Sequence, residues 1–344
     1  MKNKFLVVFV IIALLVSCTP KPTPTSPTTK PSYIPGTSDK KVLLDFALSP
    51  DGTRVAIYTN QDVYIYDIET HNKNVIEKFD NNDFAYGGAG AVAFSPDGKK
   101  IAISGKFPDQ PINIWEIDSH ALTEWIINIP NGYFVGDIEF SPDGNRLVVI
   151  NTYQFAAQCQ GPENKLVLYD ISTLDNGRDS DLYSIDGCSE APIVFRFTNN
   201  NSLYVYLYPD LHIVDTVTGQ IDEIEQDSHF QDISANGELM TTYDLQDKNY
   251  VVWKVGEEKL KLVELQNAVV LLNNGEHFLE HRYNQNMNYW ANGQVKCEYG
   301  EIELFNFKVS RNGAVFGTIP STKSELQLWS IPNCELIETL VFDG

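Results

Sequence analysis

Three stretches of this chain carry the same turn. Phe46–Tyr58 reads FALSPDGTRVAIY, Val92–Ser104 reads VAFSPDGKKIAIS, and Ile138–Ile150 reads IEFSPDGNRLVVI. Weaker copies follow at Phe195 (FRFTNNNSLYVYL), Gln231 (QDISANGELMTTY), Val270 (VLLNNGEHFLEH) and Phe307 (FKVSRNGAVFGTI). The turns begin at Ser49, Ser95, Ser141, Thr198, Ser234, Asn273 and Ser310, at intervals of 46, 46, 57, 36, 39 and 37 residues. A repeat of about 40–50 residues marks a stack of supersecondary units, each too small to bury its apolar face alone.

The residue before each turn is apolar in all seven copies: Leu48, Phe94, Phe140, Phe197, Ile233, Leu272 and Val309. Two positions earlier stand Phe46, Val92, Ile138, Phe195, Gln231, Val270 and Phe307, of which only Gln231 is polar. This period-two alternation belongs to a strand with one buried face. Pro, Asp or Asn, and Gly then supply the fixed and positive φ values of a tight turn. A second apolar strand follows, then a third, as in VYIYDIE from Val63, INIWEID from Ile112 and LQLWSIP from Leu326. A short outer strand completes the unit. The expectation is an all-β fold, a seven-bladed β-propeller of four-stranded antiparallel blades over residues 42–344. All four strands of the last blade come from the C-terminal repeat.

The pairs Tyr66-Asp67, Trp115-Glu116 and Tyr169-Asp170 resemble the aromatic–acid dipeptide of WD-repeat propellers. The repeats as a whole resemble the WD-like propellers with Ser-Pro-Asp-Gly turns found in bacterial exported proteins, including the TolB type. The Gly-His pair of the eukaryotic pattern does not occur here, so the buried His-Ser-Trp-Asp network of that family cannot form.

Residues 1–17 read as an export signal. Lys2 and Lys4 precede the apolar run Phe5–Val16, which is shorter than the ~20 residues of a membrane-crossing helix. Leu15-Val16-Ser17-Cys18 resembles a lipobox. That resemblance implies cleavage before Cys18, diacylglycerol on its thiol, and a place on the extracytoplasmic face of the cell membrane. Residues 18–41, rich in Pro and Thr, cannot bury enough surface to fold and read as a disordered, extended tether.

With Lys plus Arg at 25 against Asp plus Glu at 46, the formal net charge is −21. Such a chain repels phosphate backbones, so nucleic acid is not an expected partner. The membrane is expected to be met through the lipid only.

Cys159, Cys188, Cys297 and Cys334 make an even set in an exported protein, open to three pairings. The blade arrangement puts Cys159 and Cys188 on one face of the disc, and Cys297 and Cys334 on the other in neighbouring blades. The expected bonds are Cys159–Cys188 and Cys297–Cys334. His277-Phe278-Leu279-Glu280-His281 matches a zinc-peptidase motif that requires a helix. Here it falls on a second strand, where residues four apart are ~13 Å distant. No metal or cofactor is expected.

Propellers bind partners with the loops between strands two and three and between blades, because loops carry function on a rigid scaffold. Those segments hold Phe84, Tyr86, Phe107, Tyr133 and Phe134, then Tyr153, Phe155, Tyr208, Phe230 and Tyr283, with His229 at the start of a first strand. Aromatic side chains are enriched at interfaces and stack on sugars. The expected function is an anchored interaction module for a protein or cell-wall glycan. The alternative is an exported hydrolase or lyase acting on polysaccharide or peptide.

Overall fold

The structure is a computed structural model. It describes residues 41–79, 90–105, 110–119, 121–129, 133–153, 164–172, 181–187, 193–198, 202–207, 210–225, 229–244, 246–255, 260–265, 267–272, 277–281, 286–301, 306–320 and 325–342. The signal, Cys18 and most of the tether lie outside them.

Each expected unit is a four-stranded antiparallel sheet in sequence order. Blade one comprises β1 (Leu43–Leu48), β2 (Arg54–Thr59), β3 (Asp62–Asp67) and β4 (Lys73–Lys78). Blade two is β5 (Val92–Phe94), β6 (Lys100–Ile103), β7 (Ile112–Glu116) and β8 (Ala121–Ile127). Blade three is β9 (Tyr133–Phe140), β10 (Arg146–Tyr153), β11 (Asn164–Asp170) and β12 (Asp181–Gly187). Blade four is β13 (Val194–Phe197), β14 (Ser202–Leu207), β15 (Asp210–Asp215) and β16 (Ile221–Glu225). Blade five is β17 (His229–Ile233), β18 (Leu239–Asp244), β19 (Asn249–Lys254) and β20 (Leu260–Leu265). Blade six is β21 (Ala268–Leu271), β22 (His277–His281), β23 (Asn286–Ala291) and β24 (Gln294–Glu301). Blade seven is β25 (Asn306–Val309), β26 (Val315–Ile319), β27 (Glu325–Ser330) and β28 (Glu335–Val341).

The recurring turn explains itself chemically. Ser49 Oγ donates to Asp51 Oδ1 (2.6 Å) and accepts the Arg54 N–H (2.9 Å), while Asp51 Oδ1 also accepts the Thr53 N–H (3.1 Å). The same hydroxyl-to-carboxylate bond joins Ser95 to Asp97 and Ser141 to Asp143, and Asn replaces Asp beside Ser234 and Ser310. Gly52, Gly98, Gly144, Gly237 and Gly313 have φ between 68° and 73°, where a Cβ is strained. The serines are buried, so their hydroxyls are satisfied within the turn rather than by bulk water.

Apolar side chains on the sheet faces form seven clusters among the described residues, each spanning two adjacent blades. The seventh lies between blades one and seven, so the ring closes by side-chain packing with no strand exchanged. There Phe46 lies over Gly317, and Asn312 donates from its backbone to Pro50 O (3.0 Å) and from its amide to Asp51 O (2.7 Å). Cys297 and Cys334 are joined across blades six and seven, as expected. Cys159 and Cys188 lie outside the described residues.

A Cβ on Gly317 would stand 2.5 Å from Phe46 Cε2. Gly317→Ala is expected to destabilise the protein by about 1–3 kcal/mol. Adding Phe46→Leu should recover part of that loss, and a double-mutant cycle in denaturant measures the coupling.

Candidate functional site: the central channel

Antiparallel strands in sequence order give the disc two distinct faces. The Ser-Asp-Gly turns and the links from third to fourth strands leave one face, called here the turn face. The links from second to third strands and between blades leave the other, the loop face.

The inner strands β1, β5, β9, β13, β17, β21 and β25 surround a cavity of ≈ 580 Å³. Its wall runs from the inner strands (Asp137, Val92) to the turns (Pro50, Pro96, Pro142, Ala235, Arg311), so it lies toward the turn face of the channel. The residue two before each turn lines it in every blade: Ala47, Ala93, Glu139, Arg196, Asp232, Leu271 and Lys308. In strands whose flanking positions face the core, this intervening residue must face the axis. The seven repeats therefore place one ring of side chains around the channel, and the sequence varies that ring from alanine to charge.

Two relays organise the charges. Lys308 Nζ in blade seven pairs with Asp45 Oδ1 in blade one (2.8 Å), and Asp45 Oδ2 accepts the Val92 N–H of blade two (3.0 Å). Arg196 Nε in blade four pairs with Asp232 Oδ1 in blade five (3.0 Å), and Asp232 Oδ2 accepts the Leu271 N–H of blade six (3.0 Å). Each relay thus ties three consecutive inner strands. Asp232 holds the Arg196 guanidinium's pKa above its usual value. Arg196 pairs with a buried carboxylate while 48 % of its own side chain stays exposed.

Blade three is left between the relays with Asp137 and Glu139. Asp137 Oδ1 accepts the adjacent Ile138 N–H (2.9 Å), and among the described residues neither carboxylate has an ion-pair partner. Burial pushes Glu139 up to about 7, against the attraction of Arg196; Asp137 adds to the rise, while Arg311 and Lys308 oppose it. Burial likewise raises Asp137, aided by Asp45 and opposed by Lys308.

With this geometry in hand, three solved structures are similar to the chain. The β-propeller domain of Myceliophteria thermophila Cps50 (Swd1) aligns with TM-score 0.58 at 14% identity, over 84% of this chain and 96% of that one. Kuenenia stuttgartiensis hydrazine synthase aligns at 0.56 and 14%, over 87% and 99%. A functionally unknown protein of Desulfotomaculum acetoxidans aligns at 0.56 and 10%, over 89% and 97%. What they share with this chain is the propeller fold. No protein-family model and no curated protein matches the sequence.

The aromatic residues singled out in the sequence divide. Phe84, Tyr86, Phe107, Phe155, Tyr208 and Tyr283 fall outside the described residues. Tyr133, Phe134 and Tyr153 belong to strands rather than loops: Tyr133 pairs with Tyr153 and Phe134 with Thr152 at the loop-face end of blade three. Tyr133 and Phe134 are half-buried, the former packed on the apolar cluster between blades two and three. His229 opens β17 and is half-buried. Phe230 must be reassigned to the core: it has no exposed surface and stacks on Tyr204 (12° between ring planes). A bulge between Phe230 and Asp232 breaks the alternation and turns the ring into the interface with blade four.

His277–His281 is the strand β22. Glu280 is buried and accepts hydrogen bonds from Asn267 Nδ2 (2.6 Å) and Trp290 Nε1 (2.9 Å). This is a satisfied structural carboxylate. Gly90, in a glycine-rich segment, packs against the Tyr58 ring of blade one.

A carboxyl raised in the folded state contributes stability that is complete below its unfolded pKa and is lost as pH rises through the folded value. For Glu139 that window runs from the ordinary glutamate range to about 7. Glu139→Gln is therefore expected to raise Tm at pH 8 and to change it far less at pH 5, as read by calorimetry at both values.

Proposed function

We propose that the chain is a lipid-anchored, extracytoplasmic interaction module that holds a protein or cell-wall partner on the loop face of its propeller. One observation carries this reading: among the described residues, the inner strand of blade three is the longest and runs furthest toward that face. β9 has eight residues before its turn, against six in β1 and five in β17. At about 3.3 Å per residue the hairpin extends roughly 7 Å beyond that of blade one. Its end carries Tyr133, Phe134 and Tyr153. Blade three also has one of the longer links on that face, residues 154–163 between β10 and β11, and the link from β4 to β5 is longer still. The resemblance to exported WD-like propellers supports the same reading, and the lipobox-like Leu15–Cys18 supports the anchor.

An exported enzyme is the second reading, and Asp137 with Glu139 favours it, because a carboxyl held near pH 7 suits proton transfer. It ranks second because that pair lies among short turns, whereas the long links that would shape a substrate cleft leave the opposite face.

Two measurements test the proposal. Cys18→Ser should move the protein from the membrane fraction to the soluble extracytoplasmic fraction; a variant that stays membrane-bound sinks the anchor. Crosslinking and pull-down from intact cells should recover a partner with the anchored wild type and lose most of it with Tyr133→Ala/Phe134→Ala. Undiminished recovery would show that the hairpin is not the contact.

A further inference from the structure

We propose that Lys73, on the outer strand of blade one, is a covalent attachment site for an aldehyde, taken up as an imine on the side-chain nitrogen. The site lies where blade one packs against blade seven, and it does not depend on the aromatic hairpin of blade three.

Two lysines share one carboxylate here. Lys41 Nζ pairs with Asp62 Oδ1 (2.6 Å), and Lys73 Nζ pairs with Asp62 Oδ2 (3.5 Å). Both ammonium groups also stand over the Tyr64 ring, 4.7 and 3.6 Å from its centroid. Tyr64 is buried in the cluster between blades one and seven, so the two cations cap an apolar surface. Burial works to raise Asp62, but hydrogen bonds from Lys41 and Thr59 and the charges of both lysines hold it below the ordinary carboxylate range. Asp62 is therefore ionised, and its single negative charge serves two positive ones. On the blade-seven side, Glu338 is engaged by Tyr66 (2.7 Å) and His71 (3.4 Å). Partial burial, and then the neighbouring Lys41, push Lys73 below the usual lysine value, while Asp62 opposes the shift. The Tyr64 ring, whose face attracts cations, opposes it too. An amine beside a second cation is neutral, and so nucleophilic, for a larger share of the time.

Access selects Lys73 over Lys41. Of the Lys73 side chain 42 % is exposed, against 19 % for Lys41, and Lys73 is the more loosely held by Asp62. The chemistry needs only the neutral amine. Its lone pair attacks the carbonyl carbon, forming the C–N bond as the carbonyl oxygen takes up a proton. Both nitrogen protons then leave with that oxygen as water, and C=N remains. One amine and one aldehyde give one imine and one water, with no oxidant or reductant required.

The test treats the full mature chain in detergent, near neutral pH, with limiting propionaldehyde and with cyanoborohydride to trap the imine as a secondary amine. Peptide mapping by mass spectrometry then reads the rate at each lysine. Lys73 is expected to react at least about threefold faster than Lys99, Lys248 and Lys296. Those three are exposed, so access alone would favour them. Lys41→Met should slow Lys73 by about threefold or more, whereas Lys41→Arg, which keeps the charge, should hold its rate within about twofold. Asp62→Asn, which removes the shared anion, should speed it further. A lysine with only a packing role would not give this pattern of signs. A parallel arm uses maltotriose. Modification by propionaldehyde alone assigns the site to small free aldehydes, and modification by both admits the reducing end of a glycan. The proposal is overturned if Lys73 reacts no faster than the three exposed lysines, if Lys41→Met leaves its rate unchanged, or if Asp62→Asn slows it. Partner capture on the loop face is scored separately and can fail while this site stands.

Discussion

A buried serine hydroxyl at the end of five of the seven inner strands sets the geometry on which everything else rests. By accepting the N–H five residues on and donating to the Asp or Asn beside it, the serine fixes where the first strand stops and the second begins. That fixes register, and register decides which side chains face a neighbouring blade and which face the axis. A one-residue slip would drive Glu139 into the core and Phe140 into water. The turn is thus the element that makes a charged channel compatible with apolar clusters two residues thick on either side.

Closure follows from the same rule. A ring completed without a shared sheet must make its last interface as good as the other six, because no exchanged strand holds the ends. Phe46 lying on Gly317 provides the close approach, Lys308–Asp45 joins the inner strands, and Tyr66 donates to Glu338 Oε1 (2.7 Å) at the periphery. The Cys297–Cys334 bond ties blade seven on its other side to blade six. The C-terminal blade is therefore held from both flanks although it exchanges no strand.

The fold was legible because its signal is local and repeated: a turn whose residues have fixed conformational roles, flanked by strict alternation. The Cys297–Cys334 pairing was legible for the same reason, since blade phase alone places both cysteines. The channel charges were readable from the position between two core residues, but alternation draws attention to its apolar half and lets Glu139, Arg196, Asp232 and Lys308 pass as solvent-facing. Phe230 was misplaced because a bulge is invisible in an alternation pattern. Gln231, polar where six other copies are apolar, was the trace of it: the bulge turns Phe230 into the space that residue would have filled.

Blade three departs from the other six at both of its ends, and a single cause links the departures. The relay through blades seven, one and two and the relay through blades four, five and six each need a cation on the first strand and a carboxylate on the second. Blade three stands outside both, so its inner strand has no closing role, and its channel-facing positions are free to carry charge that the ring does not use. The same strand runs on past its neighbours toward the opposite face. Parts of a closed ring that are not needed for closure are the parts that can vary without opening it. The hairpin proposed as the loop-face contact begins on that one strand.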